Sequence, residues 1–187
     1  MVYESYPWKQ DLLRRKRLIL KYNTVEYFQK DEEATYTVLE KAIFYSAFII
    51  RKLIDCFGKL SDDADRYTLS VIKFKPLKEV NAFHRWPDES THDWDHSQQK
   101  TVKGKDICNW LIHSYLFFFN YNEEETIDGF FVASDYDRNK TLYYIRIRDW
   151  LDYMTFIASD DVVKLVSEYD MKAGEYVYTK KERGTRK

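Results

Sequence analysis

Three of the four histidines, the side chains best suited to acid–base or metal chemistry near neutral pH, fall in one irregular segment. His84, His92 and His96 lie between residues 76 and 104, where apolar residues follow neither a helical nor a strand period. His92 and His96 have the four-residue spacing of paired metal ligands on a helix. The segment carries no helical pattern, however, so we interpret them as solvated loop histidines and expect no metal ion. A loop this long is typically functional or disordered.

Arg85 and His92 are separated by six residues. This spacing is similar to the R-x4-6-H motif of small helical ribonucleases of the HEPN class, in which His and Arg from two protomers act on an RNA phosphate. The resemblance implies a metal-independent ribonuclease that uses Arg85 and His92, with His96 or His113 nearby. The chain departs from the family pattern in having Pro87 inside the motif and sheet signals later in the sequence. A nucleic-acid-directed enzyme of this kind is our alternative hypothesis.

The fourth histidine, His113, lies on a predicted helix with Asn109 one turn before it. That spacing would let the Asn109 side chain orient the imidazole as a general base, although a histidine at the core boundary is the simpler interpretation. Arg51 and Asp55 are also four residues apart and predict an ion pair within a mostly apolar helix. If this pair opened onto a pocket shared with His113, it would be a candidate active site.

The remaining motifs do not indicate an enzyme. Asp135, Asp137 and Asn139 match the first three ligand positions of a calcium loop, but Lys140 and Arg146 stand where that loop needs Gly and Glu. The segment therefore predicts an ordinary turn rich in Asp and Asn. The sequence contains no glycine-rich phosphate loop, no nucleophile elbow and no CxxC. We predict no cofactor.

The strongest structural signal runs from Asp31 to Leu60. Apolar residues from Val38 to Phe57 fall at helical spacing on more than one stripe, which predicts a central helix buried on most sides. Asp31 is a suitable N-cap, and Gly58 can end the helix in the left-handed conformation. We expect two more helices, from Pro7 to Gln29, lying antiparallel on the central one, and from Lys105 to Tyr121.

Sheet signals occur between and after these helices. They predict strands over 67–75, 129–134 and 140–147, the last two as a hairpin. A fourth helix should begin at Asp149, and 159–170 should continue it or form another helix. A last edge strand is expected over 175–179. The predicted fold is α+β: a long helical hairpin and a third helix packed with a small, mainly antiparallel sheet and a C-terminal helix. Residues 1–179 would form one domain, and 180–187 a disordered basic tail.

Composition places the chain among globular proteins. It has 187 residues, a net charge of −1 and 33 aromatic residues, comprising 12 Phe, 16 Tyr and 5 Trp. Cys56 and Cys108 lie in apolar helical patterns, which predicts free thiols and a cytoplasmic location. The sequence shows neither a signal peptide nor a membrane span. Our leading hypothesis is a cytoplasmic binding or protein-interaction domain, whose partner is another protein or a second copy bound through its aromatic surface.

Overall fold

Helices and strands are mixed along the chain in a computed structural model that describes residues 2–81 and 87–184. In chain order the elements are α1 (Ser5–Tyr22), α2 (Val25–Lys30), α3 (Glu32–Asp55), α4 (Asp62–Arg66), β1 (Thr68–Phe74), β2 (Gln98–Lys103), α5 (Gly104–Ile112), β3 (Ser114–Tyr121), β4 (Ile127–Ser134), β5 (Leu142–Arg146), α6 (Ile147–Ala158), β6 (Val162–Asp170) and β7 (Glu175–Arg183). The predicted α+β class is confirmed. Among the described helices, none combines the length and apolar character that a membrane span requires.

Helix α3 is the central helix that the apolar spacing predicts. The Asp31 carboxylate accepts a hydrogen bond from the Ala34 amide at 2.9 Å, and two glutamates follow in the first turn, where the helix dipole favours negative charge. Gly58, at φ 69°, turns the chain just beyond the helix. Helix α1 packs antiparallel against α3, and the Val2 amide reaches Cys56 Sγ at 3.2 Å. Both ends of α3 thus lie where the sequence places them, to within two residues.

The predicted first helix is interrupted at Asn23 and Thr24. The Asn23 side chain donates to the Ile127 carbonyl at 2.8 Å and accepts from the Ile127 amide at 2.7 Å. This pair of bonds ties the α1–α2 junction to the start of β4. Because the Asn23 side chain bonds to the backbone of β4, the chain turns at Asn23 and does not continue as one helix.

Five strands form an antiparallel sheet in the order β2-β1-β5-β4-β3. The predicted β4–β5 hairpin is confirmed, with Phe130 opposite Ile145 and Phe131 opposite Tyr144. Because side chains alternate along a strand, Phe130 and Ile145 point to the helices while Phe131 and Tyr144 point to the opposite face. The helix-side face joins α3, α5 and α6 in the main core, which contains the fully buried Trp150.

The other face of the sheet carries a smaller core, which is covered by part of the long segment after β1. Val80 and Trp94 from this segment pack on a set of sheet residues: Leu116, Phe131, Ala133, Leu142 and Tyr144. The Val80 amide donates to Asn139 Oδ1 at 2.7 Å. The prediction that 76–104 is irregular throughout is wrong at two places, since 98–103 form β2 and Pro76 pairs with His92 in an isolated bridge.

The predicted helix over 105–121 is half strand. Helix α5 ends at Ile112, and the aromatic run that follows forms β3. Phe117 and Phe119 face the main core, while Phe118 stacks on Phe131 of the outer face at 4.7 Å between ring centroids. Aromatic residues favour strands, and pairing with β4 satisfies the backbone of this run. Alternation between two apolar layers therefore explains three successive phenylalanines better than a helix does.

The chain continues as strand where helix and disorder are predicted. Residues 162–170 form β6, paired with β7 as a two-stranded antiparallel sheet, and Gly174 at φ 70° lies in the turn. The β-branched VVKLV run explains the strand. The predicted edge strand is confirmed but extends to Arg183, so 180–183 are not a disordered tail. Lys181 pairs with Asp62 and Asp65 and holds this part of the strand in place. Residues 185–187 lie outside the described part. Helix α6 begins after Arg146, and Asp149 lies in its first turn instead of capping it.

Candidate functional site

His92 is buried, not solvated as the sequence suggests. Its exposed fraction is 1%, its ring lies 5.4 Å from that of Trp94, and Nδ1 is 3.1 Å from Thr91 Oγ1. Nε2 has no hydrogen-bond partner in the part of the chain that the structure describes. The backbone bridge to Pro76 holds His92 next to the end of β1, and the imidazole lies beside the Trp94 indole. Burial disfavours the charged ring and lowers the pKa of His92.

This shift predicts a pH dependence of stability. The unfolded chain binds a proton at His92 near pH 6.5, whereas the folded chain does so only at lower pH. Between these two pKa values the unfolded state holds more protons, so the free energy of unfolding should fall as pH is lowered through that window, by at most about 1.4 kcal/mol per pH unit. His92→Gln should lack this component. Urea unfolding of both proteins from about pH 8 to about pH 5 measures the difference.

Both proteins contain His96, whose pKa moves in the opposite direction. The contribution of His96 to the pH dependence therefore cancels when the stabilities of wild type and His92→Gln are compared. If the stability gap between the two proteins is constant across the pH range, the ring of His92 is not buried in its neutral form.

The two other described histidines are exposed at the surface. His96 Nδ1 lies 2.8 Å from Asp93 Oδ1, and this hydrogen bond raises the pKa of His96 and lowers that of Asp93. His113 follows the last turn of α5, and its carbonyl accepts from the Asp135 amide at 2.9 Å. Asn109 does not orient its ring, because Asn109 Oδ1 accepts from Arg51 Nε at 2.8 Å.

The three predicted catalytic histidines that the structure describes do not contact one another. No hydrogen bond, ion pair or ring contact joins His92, His96 or His113 to one another within residues 2–81 and 87–184. His84 and Arg85 lie outside the described residues. The ribonuclease hypothesis, which needs Arg85 beside His92, therefore stays a prediction.

The other polar motifs hold the fold together. Arg51 and Asp55 form the predicted ion pair, and Lys105 Nζ lies 3.6 Å from Asp55, so the charges connect α3 with α5. In the 135–140 turn, Asp137 Oδ2 accepts from Ser134 Oγ at 2.7 Å and Asn139 binds the Val80 amide. Among the described residues no group of three His, Cys, Asp or Glu side chains is placed to hold a metal ion.

A cleft lies between α1 and α3, and we call it the α1–α3 cleft. Its volume is about 310 Å³. The lining is largely apolar and aromatic, with one ion pair at its side: Pro7, Trp8, Asp11, Arg15, Tyr45, Phe48 and Ile49. Apolar clefts with a few convergent polar groups are the usual form of a binding site.

Two aromatic side chains form the outer wall of this cleft. Tyr45 is 50% exposed and Phe48 is 44% exposed, although the sequence places both on a helix enclosed on most sides. Helix α1 packs on α3 through buried residues such as Leu12 and Ile19, and this contact leaves one stripe of α3 uncovered. The prediction that α3 is enclosed on most sides is therefore wrong for this stripe. Lys41 and Lys52, four residues before Tyr45 and four after Phe48, continue the stripe and are exposed.

A positively charged side chain lies near each of the two rings, Tyr45 and Phe48. The Arg15 guanidinium lies 5.1 Å from the centre of the Tyr45 ring, and Lys52 Nζ lies 5.6 Å from that of Phe48. These are cation–π distances. Arg15 also pairs with Asp11 at 3.4 Å, while its Nε is buried with no partner in the described structure. Each of the two aromatic rings thus has a cation beside it.

The cleft is suited to binding rather than to chemistry. Its described lining contains no histidine, cysteine or serine that could act as base or nucleophile. The sequence does not indicate the cleft, because Trp8 belongs to α1 while Tyr45 and Phe48 belong to α3. One local signal was available: lysines at both ends of the Tyr45–Phe48 stripe indicate that this side of the helix meets solvent.

Comparison with known proteins yields no match, since no family model matches the sequence and no curated protein or solved structure is similar to it. The function of this chain is therefore to be argued from its own sites.

Proposed function

We propose that this chain is a protein-interaction domain, and that the α1–α3 cleft binds a partner polypeptide through an apolar anchor with acidic residues beside it. The observation that carries the proposal is the half exposure of Tyr45 and Phe48, side by side above the cleft. Leaving two aromatic rings in water forgoes about 25 cal/mol per Å² of apolar surface. A partner that covers them recovers this free energy.

The residue types in the cleft favour this function. Trp, Tyr and Arg dominate the binding energy of protein interfaces, and Trp8, Tyr45 and Arg15 are all present. The cations select for charge in the partner, because an apolar segment alone would leave Lys52, which has no ion pair among the described residues, partly desolvated without a counter-charge. A carboxylate of the partner opposite Lys52 would supply it, whereas Arg15 already pairs with Asp11.

A nucleic acid is the less favoured occupant. Aromatic rings beside cations also bind single strands. The net charge of −1, however, provides no general attraction for a phosphate backbone. We place the binding activity in the cytoplasm, since both cysteines are free thiols, the usual state in a reducing compartment.

Selection from a random peptide library displayed on phage tests the proposal. Peptides enriched on the wild-type protein should share one or two large apolar residues flanked by Asp or Glu. Phe48→Ala should weaken a selected peptide about 10-fold to 100-fold, because truncating a central aromatic anchor costs roughly 1.5–3 kcal/mol. Lys52→Glu should weaken it through charge reversal. Isothermal titration calorimetry measures both effects.

Leu20→Ala is the matched control, because Leu20 is an exposed apolar residue of α1 outside the cleft. It should leave peptide affinity unchanged. Enriched peptides without a common pattern, or peptides that bind Phe48→Ala as tightly as wild type, would contradict the proposal. A labelled single-stranded RNA is assayed in parallel with EDTA present. RNA cleavage that disappears in His92→Ala would support the alternative ribonuclease hypothesis instead.

A further inference from the structure

The β6–β7 hairpin is attached to the rest of the molecule mainly at its base. The Phe57 ring lies against that of Tyr178, tilted by 39° with 4.1 Å between ring centroids, and Lys181 pairs with Asp62 and Asp65. Further out, apolar side chains are open to solvent, with Tyr169 at 54% and Tyr176 at 69% exposure. A two-stranded sheet is marginal in water on its own. The outer part of this hairpin therefore lacks the cover that strands normally have.

The two edges of the hairpin differ. On the β7 edge the Lys181 amide donates to Asp62 Oδ2 at 3.0 Å, so α4 occupies part of that edge. Lys181 is opposite Leu165, and its amide points away from β6, which marks a non-hydrogen-bonded pair. The register shift between Val166 and Ser167 leaves its extra residue, Thr179, on β7, so β6 itself keeps its alternation, and Leu165 and Ser167 both turn their backbone groups outward. Within the described structure nothing bonds to these groups, so β6 is an open edge.

The β6 sequence is complementary to itself in the antiparallel direction. With Val166 on a two-fold axis, Lys164 of one copy lies opposite Glu168 of the other. The same register sets Leu165 opposite Ser167 with their outward backbone groups facing each other. Opposite charges directly across an antiparallel pair stabilise sheets. Each pair occurs twice, as an isologous interface requires.

A register centred on Ser167 is less favourable. It would place Glu168 opposite Val166, leaving the carboxylate without a cation, and would pair Lys164 with Asp170. The Asp170 carboxylate already accepts hydrogen bonds from the Lys172 and Ala173 amides in the hairpin turn. The register on Val166 uses the Glu168 carboxylate, which has no ion pair within the described part of the chain, and leaves the turn intact.

We propose that two copies of this chain associate through β6, joining their hairpins into one four-stranded antiparallel sheet. The occupant of the open edge is thus a second copy of the same strand, selected by the Lys164–Glu168 pairing. This surface is separate from the α1–α3 cleft, so either function can hold without the other.

Sedimentation equilibrium of the full chain tests the dimer. The wild type should approach twice the 22.7 kDa chain mass, with a dissociation constant in the micromolar range for an interface of this limited size (roughly 1–100 μM). Ser167→Pro should be monomeric, because proline removes an outward N–H that β7 does not use. Lys164→Glu and Glu168→Lys should each raise the dissociation constant about 10-fold or more, and the double exchange should restore it.

Lys180→Glu is the control for charge changes within the hairpin. Lys164 and Lys180 both pair with Glu182 of the same chain, at 3.6 and 2.8 Å, but Lys180 belongs to β7. Its reversal should leave the dimer intact. Far-UV circular dichroism verifies that each variant is folded. A wild type that stays monomeric at about 100 μM, a dimer that survives Ser167→Pro, or a double exchange that fails to restore association would overturn the proposal.

Discussion

Replacing Trp150 with alanine is expected to lower the free energy of unfolding by about 3–5 kcal/mol, the range for a fully buried Trp. The side chain has no exposed surface, and its ring lies 6.0 Å from Phe130 and 5.7 Å from Tyr153. The indole Nε1 donates to Ser46 Oγ at 3.0 Å, which links α6 to α3. Trp150 therefore contacts the sheet and the central helix at once. Urea unfolding followed by circular dichroism gives the change.

Two further variants separate packing from hydrogen bonding at this position. Trp150→Phe keeps most of the ring volume and should cost less than the alanine variant. Ser46→Ala leaves the buried indole N–H without an acceptor and should cost about 1–3 kcal/mol. A loss of less than about 1 kcal/mol in Trp150→Ala would mean that the helices do not enclose this residue against the sheet.

Replacing Asp160 with alanine is expected to cost about 3–5 kcal/mol, as breaking a buried ionic network does. Asp160 is fully buried just after α6, where Oδ2 accepts from the Ser61 amide at 2.8 Å. Its Oδ1 lies 3.6 Å from Arg183 Nε, and its carbonyl accepts from the buried ammonium of Lys9. Removing the carboxylate leaves the Ser61 amide without its acceptor and the Arg183 guanidinium without its ion-pair partner. Thermal and urea unfolding measure the loss.

Asp135→Ala is the surface control for this prediction. Asp135 pairs with Arg138 at 3.2 Å but is largely exposed, so its removal should change stability by no more than about 0.5 kcal/mol. Equal effects in the two variants would show that Asp160 is hydrated rather than enclosed at the base of the hairpin.

Local physics was sufficient for part of this fold. Asp31 and Gly58 mark the two ends of α3 because capping depends on a few neighbouring residues. The β4–β5 hairpin is equally local. The aromatic run of β3 and the apolar run of β6 are compatible with either helix or strand. Each becomes a strand because it pairs with another one, β3 with β4 and β6 with β7. These pairings depend on residues outside the run itself.

The functional residues were harder to identify than the fold. His92 is a candidate site residue because of its side-chain chemistry. Its burial depends on the bridge to Pro76 and on the Trp94 ring, and composition predicts neither contact. The α1–α3 cleft joins Trp8 to Tyr45 and Phe48 across two helices, so no single window of sequence contains it. The flanking lysines of the α3 stripe are the only local sign of its exposure.

The most direct test of the α1–α3 cleft as a binding site is an amide NMR titration of the uniformly ¹⁵N-labelled protein with a peptide selected from the library. Shift changes should concentrate in α1 from Ser5 to Arg15 and in α3 from Lys41 to Lys52, and they should vanish in Phe48→Ala. Shift changes confined to the five-stranded sheet or to the β6–β7 hairpin would contradict binding at this cleft.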